Sequence, residues 1–288
     1  MANTSKLPVS VTVCTLNEEA NIADCLNRIL EQNPTEVIVI DGNSDDRTRE
    51  IAAKAGARVI NAGRKGLAHQ RKVGVDAAAQ PFTALIDADH RPEKGCFATL
   101  IEELEEKRYD GIEAQILSVF NKGYWDWAME QNFILTHNHA GPRIMIGTPC
   151  IYRSEVLKKV NFNPFFTGPS DDTDLCYRMV KAGYKLGVGT PTVYQEHRSD
   201  FATFKKKWIW YGKGDAQFAW KHPTRALSII KHQVFNYPVK KSFIALSKGQ
   251  PKVVPFFVLC GVFRHFGFIQ EIAKMLLGKR VDRDIYGT

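Results

Sequence analysis

The chain has no CxxC pair, no internal repeat, no low-complexity tract and no apolar stretch ahead of its first strand pattern. Its six cysteines (Cys14, Cys25, Cys96, Cys150, Cys176, Cys260) stand singly, several inside apolar patterns, and read as buried thiols of a reducing compartment. The opening Met-Ala-Asn-Thr-Ser-Lys-Leu-Pro carries neither a secretory signal nor an N-terminal anchor, so the body is expected in the cytoplasm. The apolar run from Val253 to Phe263 falls short of the roughly 20 residues a spanning helix needs, and Arg264 and His265 interrupt it.

What remains is a globular composition. With 288 residues, 44% of them hydrophobic, the chain can bury a sizeable core in one large domain, or in one domain with an appendage. The net charge of +8 is unevenly spread. Residues 1–200 hold 23 Lys and Arg against 27 Asp and Glu, a net −4, whereas residues 201–288 hold 16 against 4, a net +12. A basic tail could serve nucleic acid, but Trp208, Trp210, Tyr211, Phe218 and Trp220 are interleaved with it, and an apolar run lies beside it. That mixture suits an anionic membrane surface, on which the tail is expected to lie, and no nucleic-acid partner is expected. The competing reading is an amphipathic helix pair that closes the domain and turns a solvated basic face outward.

Along the chain, apolar strands alternate with helical patterns. Val9–Thr15 alternates and is β-branched, and Asn17 with Glu18 and Glu19 reads as the capped, acidic start of a helix. Glu36–Ile40 reads as a strand ending at Asp41-Gly42, followed by a helix from Ser44-Asp45-Asp46 to about Ala55. Arg58–Ile60 is a third strand, Lys65–Ala79 a helix, and Phe82–Ile86 a fourth strand. This spacing implies parallel βαβ units with both sheet faces covered, whose ligands collect at the carboxyl ends of the strands, where Thr15, Asp41 and Asp87 sit. Further on come a charged surface helix at Glu93–Arg108, a strand at Gly111–Phe120, a helix at Tyr124–Asn138, a short strand within Gly147–Tyr152 and a Pro- and Gly-bearing loop at Phe162–Ser170. A helix from Asp171 to about Ala182 follows, and helices dominate after Asp200, including Phe201–Trp220.

Two acidic groups carry the chemistry. Asp87-Ala88-Asp89 follows the apolar run Phe82–Ile86, and residues i and i+2 of an extended segment point the same way, so both carboxylates can face one ligand. Such a pair can grip a divalent cation and the charged group that the cation bridges. Asp171-Asp172-Thr173-Asp174 opens a helix, where a carboxylate can take a proton. Together they suggest metal-assisted group transfer from a phosphorylated donor. Asp174 and Arg178, one turn apart, are expected to form an intrahelical pair.

Five segments, in order, resemble the inverting family 2 glycosyltransferases of the GT-A fold: Val9–Glu18, Val39–Thr48, Gln70–Gly74, Leu85–Asp89 and Asp171–Arg178. The resemblance covers roughly residues 8–200. It implies an α/β fold with a Rossmann-like, mostly parallel sheet flanked by helices over residues 1–200, and a basic, largely helical extension over residues 201–288. It implies a nucleotide-sugar donor, with UDP favoured, bound by Thr15, Glu18, Asp41, Arg71, Asp87 and Asp171. It also implies a Mn²⁺ or Mg²⁺ ion held by Asp89, with His197 as the further ligand that some relatives place after an edge strand. Asp172 aligns with the family's general base. Because the family pattern there is Glu-Asp and this chain has Asp171-Asp172, which of the two carboxylates points into the site stays open. The stretch Trp208–Gly214 resembles one common in members that act on lipid-linked acceptors. The expected activity is transfer of a sugar to a hydroxyl or phosphate acceptor of a glycan or lipid-linked glycan, in cell-envelope polysaccharide synthesis at the inner face of the membrane. A non-catalytic scaffold subunit is the rival. Nucleotidyltransferases usually carry a Gly-rich, Arg- and Lys-bearing loop after strand one, and Thr15-Leu16-Asn17-Glu18-Glu19 is nothing of the kind.

Overall fold

A computed structural model describes residues 5–118, 123–166, 168–195 and 200–278. The elements run β1 (Leu7–Thr15), α1 (Ile22–Leu30), β2 (Pro34–Asp41), α2 (Thr48–Lys54), β3 (Arg58–Asn61), α3 (Leu67–Ala77), β4 (Phe82–Asp87), β5 (His90–Pro92), α4 (Cys96–Glu106) and β6 (Gly111–Ser118). They continue with α5 (Tyr124–Thr136), β7 (Gly141–Arg143), β8 (Cys150–Arg153), α6 (Ser154–Val160), α7 (Asp171–Lys181), β9 (Leu186–Gln195), α8 (Phe201–Lys221), α9 (Ala226–Lys231), a π-helical segment (His232–Lys241), α10 (Ser242–Ser247) and α11 (Val254–Leu276). They form two compact units, one of residues 1–117, 139–164 and 172–196, the other of residues 118–138, 165–171 and 197–288.

The first unit is built on one sheet in the order β3-β2-β1-β4-β8-β6-β9-β5, with β7 also paired to β9. The pairings of β1 with β2 and β4, and of β2 with β3, are parallel, as the alternation of strand and helix requires. β8 then pairs antiparallel with β4 and with β6, and β9 pairs antiparallel with β5 and β7. The fold is thus the expected α/β sandwich of sheet and helices. Both faces of β1 are covered: Val9, Val11 and Val13 are buried, and so are Ser10 and Thr12. Gly74 lets α3 come close over β1 and β2, since a Cβ there would stand 3.2 Å from both Thr12 and Ile40. Register then decides what meets at the carboxyl edge. Thr15 of β1 lies opposite Asp41 of β2, and Cys14 lies opposite Asp87 of β4, so β1 ends between two aspartates.

Two sequence readings are corrected here. α1 begins at Ile22 rather than at Asn17. It is held by the buried face Ile22, Cys25, Leu26 and Ile29, each fully buried aliphatic side chain contributing about 1.5–3 kcal/mol, and not by a side-chain cap. Residues 17–19 are instead clamped to the β2–α2 connection. Their amides donate to Ser44 Oγ (2.9 Å), Thr48 Oγ1 (2.8 Å) and Asp46 Oδ2 (3.0 Å), and Asn17 takes the left-handed conformation at φ 57°. The second correction concerns the apolar tail. α11 runs for 23 residues straight through Arg264 and His265. By length and composition alone, Pro251–Leu276, with mean hydropathy 1.6, is long and apolar enough to cross a membrane.

The second unit has its own core, in which Phe204 and Trp208 of α8 meet Tyr237 and the α11 side chains Phe256, Phe257 and Cys260. α8 and α11 touch backbone to backbone: a Cβ on Gly212 would lie 1.8 Å from the Arg264 carbonyl oxygen, and one on Gly267 would lie 2.0 Å from that of Ile209. Beside this contact Arg264 donates two bonds to Asp215, at 2.6 and 2.7 Å, and Gln233 donates a third at 2.8 Å. The arginine that looked like an interruption faces inward to a carboxylate on α8. Trp208 and Gly212, in the stretch compared with lipid-acceptor enzymes, are part of this packing.

Candidate active site

The site grows from the carboxyl ends of β1, β2 and β4. Asp41 is fully buried, and each of its oxygens accepts two hydrogen bonds. Oδ1 takes the amides of Asn43 (3.1 Å) and Ser44 (2.9 Å), with Arg49 Nε 3.7 Å from it, while Oδ2 takes the hydroxyls of Ser44 (2.5 Å) and Thr15 (3.2 Å). Asp41 therefore fixes the turn after β2 and draws Thr15 into it. Gln70, the residue before Arg71 on α3, reaches the carbonyls of Thr15 (2.8 Å) and Ile40 (2.9 Å) and ties both strand ends to the helix. The space it occupies lies against Gly42, where a Cβ would come within 2.9 Å of its amide oxygen.

Asp87 and Asp89 sit at and just beyond the end of β4, both half-buried. Asp87 accepts from Thr148 Oγ1 at 2.5 Å and from Arg71 at 3.4 Å, and Arg71, itself buried, also donates to Thr148 at 3.4 Å. Burial pushes the Asp87 carboxyl up, but the Arg71 guanidinium, His90 and the Thr148 hydroxyl outweigh it and hold its pKa below the ordinary aspartate value. Asp89 accepts from the side-chain amide of Gln195 at 2.9 Å. That contact follows from the pairing of β5 with β9, in which His90 stands opposite Gln195.

Glu18 belongs to the same electrostatic neighbourhood. Its pKa is raised by burial first and then by the charges of Asp89, Asp87 and Asp46, against the opposing hydrogen bond from Asn21. Glu18, Asp87 and Asp89 thus set an excess of negative charge against the buried Arg71 guanidinium, which a bound cation or a cationic edge of a ligand would relieve.

Ligand atoms of Asp87, Asp89 and His90 lie within 4.8 Å of one another, so the donor set fits a hard divalent cation. The imidazole is constrained, however. His90 Nδ1 accepts the Asp87 amide at 3.1 Å, which puts the ring proton on Nε2, the nitrogen that faces Asp89 Oδ1 at 3.8 Å. In this tautomer His90 holds the Asp87 backbone and turns its N–H toward Asp89, which leaves the carboxylate oxygens as the candidate cation donors.

Asp172, near the start of α7, holds the amide of Thr173 with one oxygen (2.6 Å). The other oxygen faces Gly147, at 3.4 Å from where a Cβ would stand, and Glu113 of β6 lies 3.7 Å from the same point. Gly147 immediately precedes Thr148, whose hydroxyl is on Asp87. The dipeptide Gly147-Thr148 thus stands between the base candidate on α7 and the Asp87 carboxylate of β4. Asp174 pairs with Arg178 at 2.7 Å, as expected, and Arg178 extends to the carbonyls of Val160 and Asn161. Asp171 is buried at the first position of α7. His197 lies outside the described residues.

Thr148, Gln195, His90, Glu113 and Gln70 did not stand out in the sequence as site residues. His90 had the clearest signal, since it follows Asp87-Ala88-Asp89 directly. Gln195 and Glu113 had none, because antiparallel pairing of remote strands brings them in.

Carboxylates gathered at the carboxyl edge of a β-α-β sheet stand where the ligands of such α/β folds collect. The family model for glycosyl transferase family 2 matches residues 10–161, and the chain belongs to that family. An uncharacterized glycosyltransferase of Mycobacterium tuberculosis, Rv0539, is 36% identical over 99 residues, 34% of this chain, and the match spans 44% of that protein's length. Among solved structures, the mannosyltransferase PcManGT from Pyrobaculum calidifontis, in complex with GDP-Man and Mn²⁺, matches with a TM-score of 0.66 at 16% identity, over 96% of this chain and 89% of its own. Staphylococcus aureus TarS 1–349, in complex with UDP-GlcNAc, matches with a TM-score of 0.57 at 16% identity, over 96% of this chain and 93% of its own. The expected GT-A fold is therefore found.

Proposed function

We propose that the chain is an inverting glycosyltransferase that moves a sugar from a nucleoside-diphosphate donor, UDP-linked by preference, to a hydroxyl of a glycan or lipid-linked glycan. The observation that carries this reading is the Gly147-Thr148 link between Asp172 and Asp87. It supports an arrangement in which a proton acceptor and a diphosphate-binding cluster serve one cleft. Asp172 takes the proton from the acceptor hydroxyl as its oxygen attacks the anomeric carbon. The bond from that carbon to the diphosphate oxygen breaks, and the nucleoside diphosphate leaves with the electron pair. A single displacement inverts the anomeric configuration and needs no covalent sugar–enzyme intermediate.

Thr15, Glu18, Asp41 and Arg71 are assigned to the nucleoside side, Asp87 to the ribose and Asp171 to the sugar end. Asp87 and Asp89, with His197 as a further candidate, are the residues that would hold Mn²⁺ or Mg²⁺, which supplies positive charge against the diphosphate when bound. Residues 1–200 are proposed as the transferase part and residues 201–288 as the part that keeps the enzyme at the cytoplasmic face of a membrane, in cell-envelope polysaccharide synthesis.

A panel of nucleotide sugars incubated with Mn²⁺ and scored for free nucleotide tests the proposal. The expected result is release from one donor class, reduced by about 10²–10⁴ in Asp172→Asn with nucleoside-diphosphate binding retained. Near-normal turnover in that variant refutes the role of Asp172. Absence of any nucleotide binding transfers the protein to the scaffold reading.

A further inference from the structure

The exposed face of α11 is apolar from end to end. Pro255, Val258, Val262, Phe266, Ile269 and Leu276 all face outward at spacings of three, four or seven residues, over roughly 30 Å of helix. The opposite face buries Phe256, Phe257, Cys260 and Phe268 in the unit's core. A helix apolar on both sides has a second apolar environment to meet. The π-helical segment and α10 repeat the pattern, with Phe235, Val239, Phe243 and Leu246 outward at spacings of four, four and three; Phe243 is 71% exposed.

Charge narrows the choice of what covers this face. Between residues 201 and 278 the only carboxylates are Asp215 and Glu271, and both are buried, whereas Lys231, Lys240, Lys248 and Lys252 are exposed beside the apolar stripes. A surface on which the described residues 201–278 expose lysines and no carboxylate repels a second copy of itself and suits an anionic one. The close backbone approach of Gly212 to Arg264 and of Gly267 to Ile209 bears on the orientation. It locks α11 to α8, which carries Lys205, Lys206, Lys207, Lys213 and Lys221. A helix fastened to five lysines cannot be drawn through the hydrocarbon without them.

We infer that the outward faces of α11 and of the segment Val234–Leu246 form one monotopic docking surface for an anionic lipid bilayer, with α11 lying in the interface and not crossing it. The inference rests on the reading of residues 201–288 as the membrane-associated part, and adds its residues, its lipid preference and its orientation.

Flotation of the full chain with vesicles tests it. The protein should bind phosphatidylglycerol-rich vesicles at least about tenfold more tightly than phosphatidylcholine vesicles, and high salt should weaken the binding. Phe243→Ser with Phe266→Ser, both at exposed positions, should cut binding by about a hundredfold with an unchanged melting temperature. Alkaline carbonate should release the bound protein. Equal binding of the double variant, no lipid preference, or resistance to carbonate each overturns the inference. So does a lipid-free dimer, measured by sedimentation equilibrium, that Phe266→Ser dissociates. Nucleotide release in vesicle-free solution is the independent readout of the active site. It should be the same in the double variant and the natural protein, so a failed donor panel and a failed flotation are separate results.

Discussion

Thr148→Val removes one hydroxyl and nearly preserves the shape of the side chain, and the structure says what that hydroxyl does. It donates to Asp87 at 2.5 Å and accepts from Arg71 at 3.4 Å, so without it Asp87 keeps a single long contact to Arg71 and that guanidinium loses a partner. A hydrogen bond to a charged group is worth about 1.5–3 kcal/mol, and each 1.36 kcal/mol is a factor of ten in rate. If Asp87 must be held for the donor to sit correctly, kcat/KM for nucleotide release should fall by about 10- to 150-fold. Thr148→Ser, which keeps the hydroxyl, should retain most of the activity. The assay is initial rate against donor concentration at several Mn²⁺ concentrations, with circular dichroism to establish that the variant is folded. A valine variant within about a factor of two of the natural protein at low donor and low Mn²⁺ would refute the reasoning, because the shortest contact of Asp87 would then have no consequence.

Asp89→Ala should abolish Mn²⁺-dependent nucleotide binding in calorimetry and leave the fold intact, since its carboxylate is half-buried and its neutral partner Gln195 keeps access to water. Arg264→Met leaves the buried Asp215 carboxylate with Gln233 alone and should destabilise the second unit by about 3–5 kcal/mol. All five tryptophans lie in that unit, so urea unfolding followed by tryptophan fluorescence reports it directly, and a shift below about 1 kcal/mol would contradict the pairing. Glu18→Gln should stabilise the metal-free protein at pH 7. The raised folded-state pKa of Glu18 means that its ionisation opposes folding, an effect present above the folded pKa and gone below the unfolded value of about 4.3. A melting-temperature gain that vanishes near pH 4 is expected, and a loss at pH 7 would reverse the sign of the argument.

The parallel half of the sheet was legible because each strand and each helix that covers it are neighbours in sequence, so local pattern and register agree. Once β1, β2 and β4 are known to lie side by side, Thr15, Asp41 and Asp87 must meet, and they do. The helix starts were less legible, because Asn17, Ser44 and Asp46 have the side chains of ordinary caps. Here those side chains also bind the other connection across 27 or 28 residues of sequence, which delays α1 to Ile22. Local propensity and tertiary use compete for the same polar groups, and the tertiary use prevailed at the junction where a ligand is to be held.

The antiparallel half hid the rest. Thr148 reaches Asp87 across 61 residues and Gln195 reaches Asp89 across 106, and no periodicity within either segment encodes those encounters. Arg264 is the same case in the second unit: charged in an apolar run, it reads as a break until Asp215, 49 residues earlier, is seen to receive it. In all three, a polar side chain on one element answers a carboxylate on another. A carboxylate that must stay ionised in a half-buried setting needs donors from somewhere, so an unexplained Thr, Gln or Arg at the end of a distant strand or on the face of an apolar helix is where such donors are to be sought.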